Sequence, residues 1–348
     1  MDLPKTDPEI EKRFRLYKPE NRPIAGKLQR LTGGFSGADV YCFEALSGNY
    51  VLRLWPANFK SSNRIQELGL FAEFLNHNTS TPVAGPLRNL QDQFYFRWDD
   101  RLAQIEPFLA GQPIDSQSPS QDQIDSAMKS LAECHLVCAN YMPSAISQPR
   151  ILQAGWGSSE SLQLRLRLLN KRNNEFEDSF LSHSNGLKFD EKFPQLVDQL
   201  SLQLQLWKPI VLQNLQTQAR QLRPVLPVFR DVWREHLLFV DGQVSGIIDI
   251  NASATDSIAC DLTRYLGSVL GNDSKHWRAA LQAYQTVRPL QPVERESLLT
   301  FDLSNLLLSS VGCLERCLIA TEESIRASLL VRLQGYVSRL QNYHHLQL

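Results

Sequence analysis

The sequence lacks the charge imbalance that favours binding to nucleic acid or to an anionic membrane surface. Its 348 residues carry a formal net charge of −1 at pH 7, and charged residues make up 21% of the chain. The polar N-terminal residues lack the apolar core of a signal peptide, and we find no apolar run as long as a bilayer span requires. We therefore expect a cytoplasmic protein that has neither nucleic acid nor a membrane as a partner.

The cysteines are not spaced as in a disulfide-stabilised or metal-binding protein. Four of the six cysteines form two pairs at i,i+4 spacing, Cys134 with Cys138 and Cys313 with Cys317, which is a poor disulfide framework. The histidine partners of a zinc site are missing, so buried, reduced thiols are expected. The chain also lacks a Gly-x-Gly-x-x-Gly motif, a P-loop and internal repeats.

A strong hairpin signal is present in residues 226–251. Two apolar runs, Leu237–Val240 and Val244–Ile250, flank Asp241-Gly242. Asp-Gly favours a type I′ turn, because both central residues of that turn need a positive φ. The segment therefore predicts two short antiparallel strands joined by a tight turn.

Three polar side chains are expected at one end of this hairpin. Pairing about the turn places His236 opposite Ile247 or Ile248, and thus within one or two residues of Asp249. Asp231 lies on the loop that leads into the hairpin. Such a cluster is suited to holding a metal ion and positioning a proton acceptor.

These residues resemble the catalytic segment of the protein-kinase-like phosphotransferases. That segment reads His-Arg-Asp or His-Gly-Asp, four residues, Asn, a short hairpin and a metal-binding Asp. Here Phe229-Arg230-Asp231 is followed by four residues, His236, the hairpin and Asp249. The sequence is most similar to the aminoglycoside phosphotransferase and choline kinase branch, whose Asp-Leu-Ala-like helix start is matched by Asp261-Leu262-Thr263. Phe229 and His236 depart from the pattern.

The resemblance covers residues 28 to about 320 and implies an α+β, two-lobed protein-kinase-like fold. It implies a small antiparallel-sheet N-lobe and a larger, mainly helical C-lobe. The expected division is an arm at 1–27, a nucleotide-binding N-lobe at 28–108, and a C-lobe at 109–348 that holds the hairpin. Sequence patterns predict strands within 28–44 and 49–55, a helix at 62–76, further strands at 83–87 and 93–97, and helices from Ser120 onward, including one at 162–169.

For the N-lobe, the resemblance assigns residues to nucleotide binding. The turn residues Gly33, Gly34, Ser36 and Gly37 would cover the phosphates, although a plain hairpin turn explains Gly33-Gly34 equally well. Arg53 would hold phosphate oxygens; taken alone, a cation at mid-strand more often marks a solvated sheet face. Glu67, or failing that Glu73, would pair with Arg53. Glu106 and Phe108 would lie along the adenine edge, where a loop punctuated by Pro and Gly is the alternative.

For the C-lobe, the resemblance makes Asp231 the residue that accepts or orients the proton of the acceptor hydroxyl, with Arg230 beside it. Asp249 would bind Mg²⁺. His236 replaces the family's Asn as the second metal position, and imidazole suits Mn²⁺ better than Mg²⁺. Alternatively, His236 only hydrogen-bonds the loop that carries Asp231.

The function implied is an ATP-dependent phosphotransferase that uses Mg²⁺, or Mn²⁺ as the alternative ion, and acts on a hydroxyl of a small molecule. Another purine nucleoside triphosphate could replace ATP. The acceptor is not identified by the sequence. The alternative is a catalytically silent kinase-like protein that binds a nucleotide or a protein partner, which the departures at Phe229 and His236 favour and the retained aspartates oppose.

Overall fold

The structure is a computed structural model, and it divides the chain into two compact units. The first unit comprises Met1–Gln153 and Arg234–Ser253, and the second comprises Ala154–Trp233 and Ala254–Leu348. The residues that the structure describes are 12–24, 28–31, 37–59, 61–115, 118–142, 152–172 and 193–348.

The first unit contains a five-stranded antiparallel sheet. The strands are β1 (Leu28–Leu31), β2 (Asp39–Ala45), β3 (Gly48–Leu54), β4 (Phe96–Trp98) and β5 (Arg101–Pro107), in the order β1-β2-β3-β5-β4. Alternate residues of β2 are buried, as expected for a strand that covers a core on one face, whereas the last three residues of β3 are all buried. The aromatic rings of Phe14 and Phe43 meet edge to face in that core, with centroids 5.3 Å apart.

Helix α1 (Ser62–Asn78) follows β3, where the sequence predicts a helix at 62–76. Ser61 caps its N-terminus by accepting a hydrogen bond from the backbone N–H of Arg64 at 3.3 Å. The predicted apolar positions are fully buried; they are Ile65, Leu68, Phe71 and Leu75. Helical spacing therefore identified the face that packs against the unit.

The hairpin predicted around Asp241-Gly242 is confirmed. Strands β9 (Leu237–Val240) and β10 (Gln243–Ile247) pair antiparallel, and β6 (Gln112–Pro113) joins the outer side of β9. Asp241 and Gly242 have φ values of 48° and 77°, as a type I′ turn requires.

One predicted strand of the first unit is not part of the five-stranded sheet. Residues 83–87 were expected to continue it, but Val83 forms only an isolated parallel bridge with Ile247 of β10. The two residues are held together by backbone hydrogen bonds on either side, from Ala84 N–H to Ile247 O and from Ile247 N–H to Pro82 O. Helix α2 (Gln121–Cys138) completes the elements of this unit.

The second unit combines helices with a small antiparallel sheet that the sequence did not predict. Its strands are β7 (Gly155–Gly157), β8 (Arg223–Val228) and β11 (Ala254–Asp256), with β8 in the centre. Its helices are α3 (Glu160–Lys171), α4 (Phe193–Gln218), α5 (Ala259–Leu270), α6 (Ser274–Gln285), α7 (Pro292–Ile319) and α8 (Glu323–Gln341). The helix expected at 162–169 is confirmed as α3.

The sequence was expected to contain no apolar run long enough to span a bilayer, and helix α7 departs from that expectation. By length and mean hydropathy it could cross a bilayer, but 72% of its most apolar stretch is buried within the protein. This burial is the pattern of a core helix. All six cysteines lie in the described part of the chain as free thiols, and only Cys42 is not buried.

Replacing Gly69 of α1 with alanine should destabilise the first unit. A Cβ atom at Gly69 would lie 2.2 Å from the ring of Phe94, which is fully buried. Because the packed ring cannot move aside freely, we expect the free energy of unfolding to fall by about 1–3 kcal/mol. Scanning calorimetry would measure this loss as a lower melting temperature.

Gly312→Ala in α7 is the matched control for this change. A Cβ atom there would meet nothing within 4 Å, so the helix propensity of alanine should make the change neutral or stabilising by up to about 1 kcal/mol. Equal losses of stability in the two variants would show that contact with Phe94 is not the cause.

Candidate active site

The predicted site residues are divided between the two units. Arg53, Glu67, Glu106, Phe108, His236 and Asp249 belong to the first unit, and Arg230 and Asp231 belong to the second. Gly33, Gly34 and Ser36 lie outside the described residues. Gly37 is described, and its φ of 69° is a backbone conformation that glycine adopts without strain.

In the first unit, Arg53 forms a buried ion pair with Glu106. Arg53 on β3 lies opposite Gln104 on β5, and Glu106 follows two residues later on the same face of the sheet. The Nε atom of Arg53 donates to Glu106 Oε1 at 3.1 Å, and the two side chains are only 9% and 7% exposed. The strand cation therefore has a fixed carboxylate partner within its own sheet.

Arg53 also contacts Asp249, at 3.7 Å between Nη2 and Oδ1. Burial alone would lower the pKa of the Arg53 guanidinium, but the charges of Glu106 and Asp249 outweigh it and raise that pKa above its ordinary value. Asp249 is 40% exposed. Of the two carboxylates around Arg53, Asp249 is thus the one that a ligand can reach.

A chain of buried hydrogen bonds orients this ion pair. The indole N–H of Trp55 donates to Gln104 Oε1 at 2.8 Å, and Gln104 Nε2 donates to Glu106 Oε1 at 2.5 Å. These two hydrogen bonds link Trp55, Gln104 and Glu106, so the Glu106 carboxylate is held in place before any ligand binds.

The hairpin places Asp249 just beyond the end of β10. The backbone N–H of Ile248 donates to His236 O at 2.9 Å, which confirms the predicted register beside His236. Asp249 has a φ of 58°, and its Oδ1 accepts a hydrogen bond from Asn251 Nδ2 at 2.6 Å. The other side-chain atom of Asn251, Oδ1, is buried without a hydrogen-bond partner.

The oxygen atoms at this loop fit a hard divalent cation. A buried amide oxygen without a donor is costly, and carboxylate and amide oxygens are the ligands that Mg²⁺ prefers. Within the described ranges, no group of three or more His, Cys, Asp or Glu side chains could hold a metal ion. A cation at Asp249 would thus need further oxygens from Asn251 or from a bound phosphate; the roles predicted for Asp249 and His236 stay predictions.

Glu67 anchors a different contact from the predicted one. Its Oε2 lies 3.4 Å from Arg64 Nη1, and its Oε1 accepts the backbone N–H of Leu152 at 2.8 Å. Arg64 Nη2 donates to the backbone oxygen of Asn251 at 2.9 Å and to that of Ser253. Arg64 therefore ties α1 to the loop that follows Asp249.

This arrangement replaces the expected pairing of Arg53 with a glutamate of α1. Arg53 has its ion pairs with Glu106 and Asp249. Glu73, the second choice, forms a two-fold hydrogen-bonded pair with Arg88, both at 2.7 Å. Because Glu106 already neutralises Arg53 within the sheet, the α1 glutamate serves Arg64 instead.

The segment predicted to meet an adenine ring presents an exposed side chain. Phe108 is 49% exposed, and its backbone N–H donates to Asn49 O at 2.9 Å. That N–H is thus used within the protein. The role of Phe108 stays a prediction.

In the second unit, Asp261 holds the loop that carries Asp231. Its carboxylate accepts the backbone N–H of Phe229 at 2.8 Å and that of Arg230 at 2.6 Å. Arg230 has a φ of 64°, a conformation that costs a non-glycine residue free energy. Phe229, in the position of the family's His, is buried. The Asp261-Leu262-Thr263 helix start thus fixes the backbone just before Asp231.

Asp231 forms an ion pair with Arg264 of α5. Arg264 Nε lies 2.9 Å from Asp231 Oδ1, and the Arg264 guanidinium carbon lies 5.2 Å from the ring centre of Trp233. Arg332 of α8 approaches the same ring, at 4.8 Å. The candidate proton acceptor is therefore paired with one arginine, and a second arginine stacks on the same tryptophan as the first.

Sequence reasoning missed three residues of these arrangements: Arg64, Asn251 and Arg264. Asn251 carried a detectable signal, since it follows Asp249 by two residues in a short polar loop. Arg64 and Arg264 reach partners 187 and 33 residues away along the chain. Neither spacing nor periodicity identifies contacts of that kind.

Arg64→Ala should loosen the loop that follows Asp249. The change removes two hydrogen bonds from a charged donor, each worth about 1.5 kcal/mol or more. We expect amide hydrogen exchange in residues 249–253 to become at least about 10-fold faster, measured by mass spectrometry. Arg15→Ala removes an exposed cation of the same unit and should leave the exchange rates of residues 249–253 unchanged. Equal exchange rates in wild type and Arg64→Ala would show that Arg64 does not hold this loop.

Comparison with known proteins identifies the family. The profile of the phosphotransferase enzyme family, APH, matches residues 27–296. A homoserine kinase of Parvibaculum lavamentivorans is 25% identical over 261 residues, which are 72% of this chain and 69% of that protein.

Two solved structures share the fold. An amicoumacin kinase, in complex with AMP-PNP and Ca²⁺, has a TM-score of 0.67 at 14% identity, over 97% of this chain and 94% of its own. Spectinomycin phosphotransferase APH(9)-Ia, in complex with ADP and spectinomycin, has a TM-score of 0.64 at 13% identity, over 97% of this chain and 98% of its own. These likenesses confirm the expected protein-kinase-like α+β fold. Since the family profile spans most of the sequence, the chain belongs to the phosphotransferase enzyme family.

Proposed function

We propose that this phosphotransferase uses ATP, or another purine nucleoside triphosphate, to phosphorylate a hydroxyl of a small molecule. The observation that supports this most directly is the contact of Arg53 with Asp249. It joins a buried cation, suited to phosphate oxygens, to a reachable carboxylate, suited to a divalent cation.

The nucleotide would be held by residues of the first unit. Arg53 binds phosphate oxygens as an always-charged donor, and Phe108 lies along the adenine edge. Asp249, Asn251 and His236 would hold Mg²⁺ or Mn²⁺, which, when bound, neutralises charge on the nucleotide phosphates. Arg64 is a positioning residue, since it holds the loop that carries Asp249 and Asn251.

Asp231 would act on the acceptor. Its carboxylate accepts the proton of the acceptor hydroxyl while the hydroxyl oxygen forms a bond to the γ-phosphorus. The bond from that phosphorus to the bridging oxygen of the β-phosphate breaks, and a nucleoside diphosphate leaves. Asp261 supports this step by fixing the backbone of Phe229 and Arg230.

The relatives suggest the first acceptors to assay. Homoserine is one, because the curated relative is named a homoserine kinase, and spectinomycin is another. The six free thiols agree with a reducing compartment, and we propose the cytoplasm.

The roles of the two aspartates predict that the same substitution lowers turnover at one position and nucleotide affinity at the other. Asp231→Asn should lower turnover at least about 100-fold while nucleotide affinity stays near that of wild type. Asp249→Asn should weaken metal–nucleotide binding itself. Affinity is measured by calorimetry with ADP and Mg²⁺, and turnover by coupled detection of ADP.

Asp122→Asn, an exposed carboxylate on α2, is the control and should change neither quantity. Nucleotide at a concentration 100 times its dissociation constant should stabilise the wild-type protein against unfolding by about 2.7 kcal/mol. Absence of binding to every purine nucleotide with either metal would refute the proposal, and binding without transfer would indicate the catalytically silent alternative. Equal losses of affinity in both variants would mean that the two roles are assigned wrongly.

His236→Asn should shift the metal preference. An imidazole ligand favours Mn²⁺ over Mg²⁺ more than oxygen ligands do, so restoring the amide of the family should lower the ratio of Mn²⁺- to Mg²⁺-supported nucleotide affinity. Calorimetry with each metal measures that ratio. His77→Asn, an exposed histidine on α1, should leave it unchanged. The same ratio in wild type and His236→Asn would leave His236 a structural residue.

A further inference from the structure

The surroundings of Asp231 in the second unit carry information about the acceptor. Asp231 is 52% exposed, and Arg264 donates a hydrogen bond to it from Nε at 2.9 Å. Among the described residues, the Nη1 and Nη2 groups of Arg264 make no hydrogen bond. An arginine that contacts the proton acceptor therefore keeps most of its donors for another group.

Arg230 adds a second cation with unused donors. Its backbone is held by Asp261 in a strained, left-handed conformation, directly before Asp231. Its guanidinium has no hydrogen-bond or ion-pair partner in the part of the chain that the structure describes, although the residue is half-buried. A partly buried charge without a partner is unfavourable, so this side chain is suited to meet an anion.

Arg332 extends the positive charge beyond this pair. Its guanidinium carbon and that of Arg264 lie 4.8 and 5.2 Å from the same Trp233 ring centre, and so no more than 10.0 Å from each other. We call Arg230, Arg264 and Arg332 the arginine cluster. Trp233 holds two of its members by cation–π contact.

The nearby carboxylate of Asp261 is engaged by the backbone of the loop before Asp231. Asp261 is fully buried and accepts two backbone N–H groups. Burial lowers the pKa of the neighbouring Arg165 to about 10, and the charges of Arg230 and Arg264 act in the same direction. The charges of Arg230 and Arg264 thus reach Arg165, where those of Cys260 and Asp256 act in the opposite direction.

We propose that the acceptor carries an acid group, a carboxylate or a phosphate, that binds Arg264 and Arg230 while its hydroxyl faces Asp231. This inference rests on the proposed function and adds the substrate class. Arginine presents paired N–H donors that match the oxygens of such groups. A polycationic acceptor would meet like charges next to the residue it must reach, so aminoglycosides are disfavoured.

Pairs of acceptors with and without a negatively charged acid group test this inference. The panel contains glycerate and 4-hydroxybutyrate, each beside its own neutral carboxamide, and glycerol 2-phosphate beside neutral glycerol. It also contains zwitterionic homoserine beside its cationic carboxamide, and 1-amino-2-propanol and spectinomycin as further cationic compounds. We expect kcat/KM for at least one acid to exceed that of its neutral partner by about 10- to 100-fold, the usual effect of a hydrogen-bonded charge. Binding of each acid to the ADP-saturated protein is measured by calorimetry in parallel.

Variants separate substrate recognition from general damage. Arg264→Gln should lower kcat/KM for the preferred acid by about 10- to 100-fold and that for its neutral partner much less, so that the ratio between the two falls. A loss that acted only through Asp231 would lower both values equally. Arg264→Lys should restore part of the ratio, and Arg230→Gln should lower it independently. Arg220→Gln, an exposed arginine of the same unit, should leave the ratio unchanged.

The outcomes distinguish this inference from the proposed function. Equal or better transfer to neutral or cationic acceptors would overturn the inference while supporting a phosphotransferase. Nucleotide binding together with neither binding nor transfer for any acid would also overturn it. If Arg264→Gln and Arg230→Gln weaken ADP affinity instead of the acid preference, the arginines serve the nucleotide phosphates and the inference fails. Absence of nucleotide binding in the wild type would refute the proposed function itself.

Discussion

The buried charge of Arg53 is the constraint on which the arrangement of the first unit depends. A guanidinium in the interior of a sheet is tolerated only with a partner, and removing the partner of such a pair typically costs about 3–5 kcal/mol. Glu106 meets that requirement from the neighbouring strand and is itself held by Gln104. Glu106 is buried and held through Oε1, and Asp249 adds a second, weaker contact to Arg53 at 3.7 Å. The carboxylate least needed for stability is thus the one that remains reachable.

Two strained residues occur at the positions to which chemistry is assigned. Asp249 and Arg230 both have left-handed backbone conformations, which cost a non-glycine residue about 1–3 kcal/mol. In the first unit the side chain of Asn251 and the guanidinium of Arg64 offset this cost around Asp249. In the second unit the carboxylate of Asp261 does so at Arg230. In each unit a neighbouring polar side chain fixes the backbone next to the candidate residue.

Local rules predicted the parts of the fold that depend on nearby residues. The Asp241-Gly242 turn fixed the register of its hairpin, and the spacing of apolar residues fixed the buried face of α1. The partner of Glu67 could not be predicted in this way, because periodicity selects a face of a helix and not the cation that meets it. Arg64 is three residues away on the same helix and competes with any distant arginine at little entropic cost. The sheet of β7, β8 and β11 was missed because two of its strands have three residues each, too few to show alternation.

The arginines of the two units differ in how far their charge is balanced by neighbouring carboxylates, and the more buried arginine is the more balanced one. Arg53 is 9% exposed and forms ion pairs with two carboxylates, so its charge is largely balanced before any ligand arrives. Arg264 is 21% exposed, donates a hydrogen bond to Asp231 from Nε, and makes no hydrogen bond with its two other nitrogens among the described residues. Arg230 has no hydrogen-bond partner for its guanidinium at all within the same part of the chain. A balanced arginine can orient a ligand without strongly attracting it, whereas unbalanced arginines select for negative charge. Because Arg264 contacts Asp231 and Arg230 directly precedes it, the role proposed for Asp231 would favour acceptors that carry negative charge.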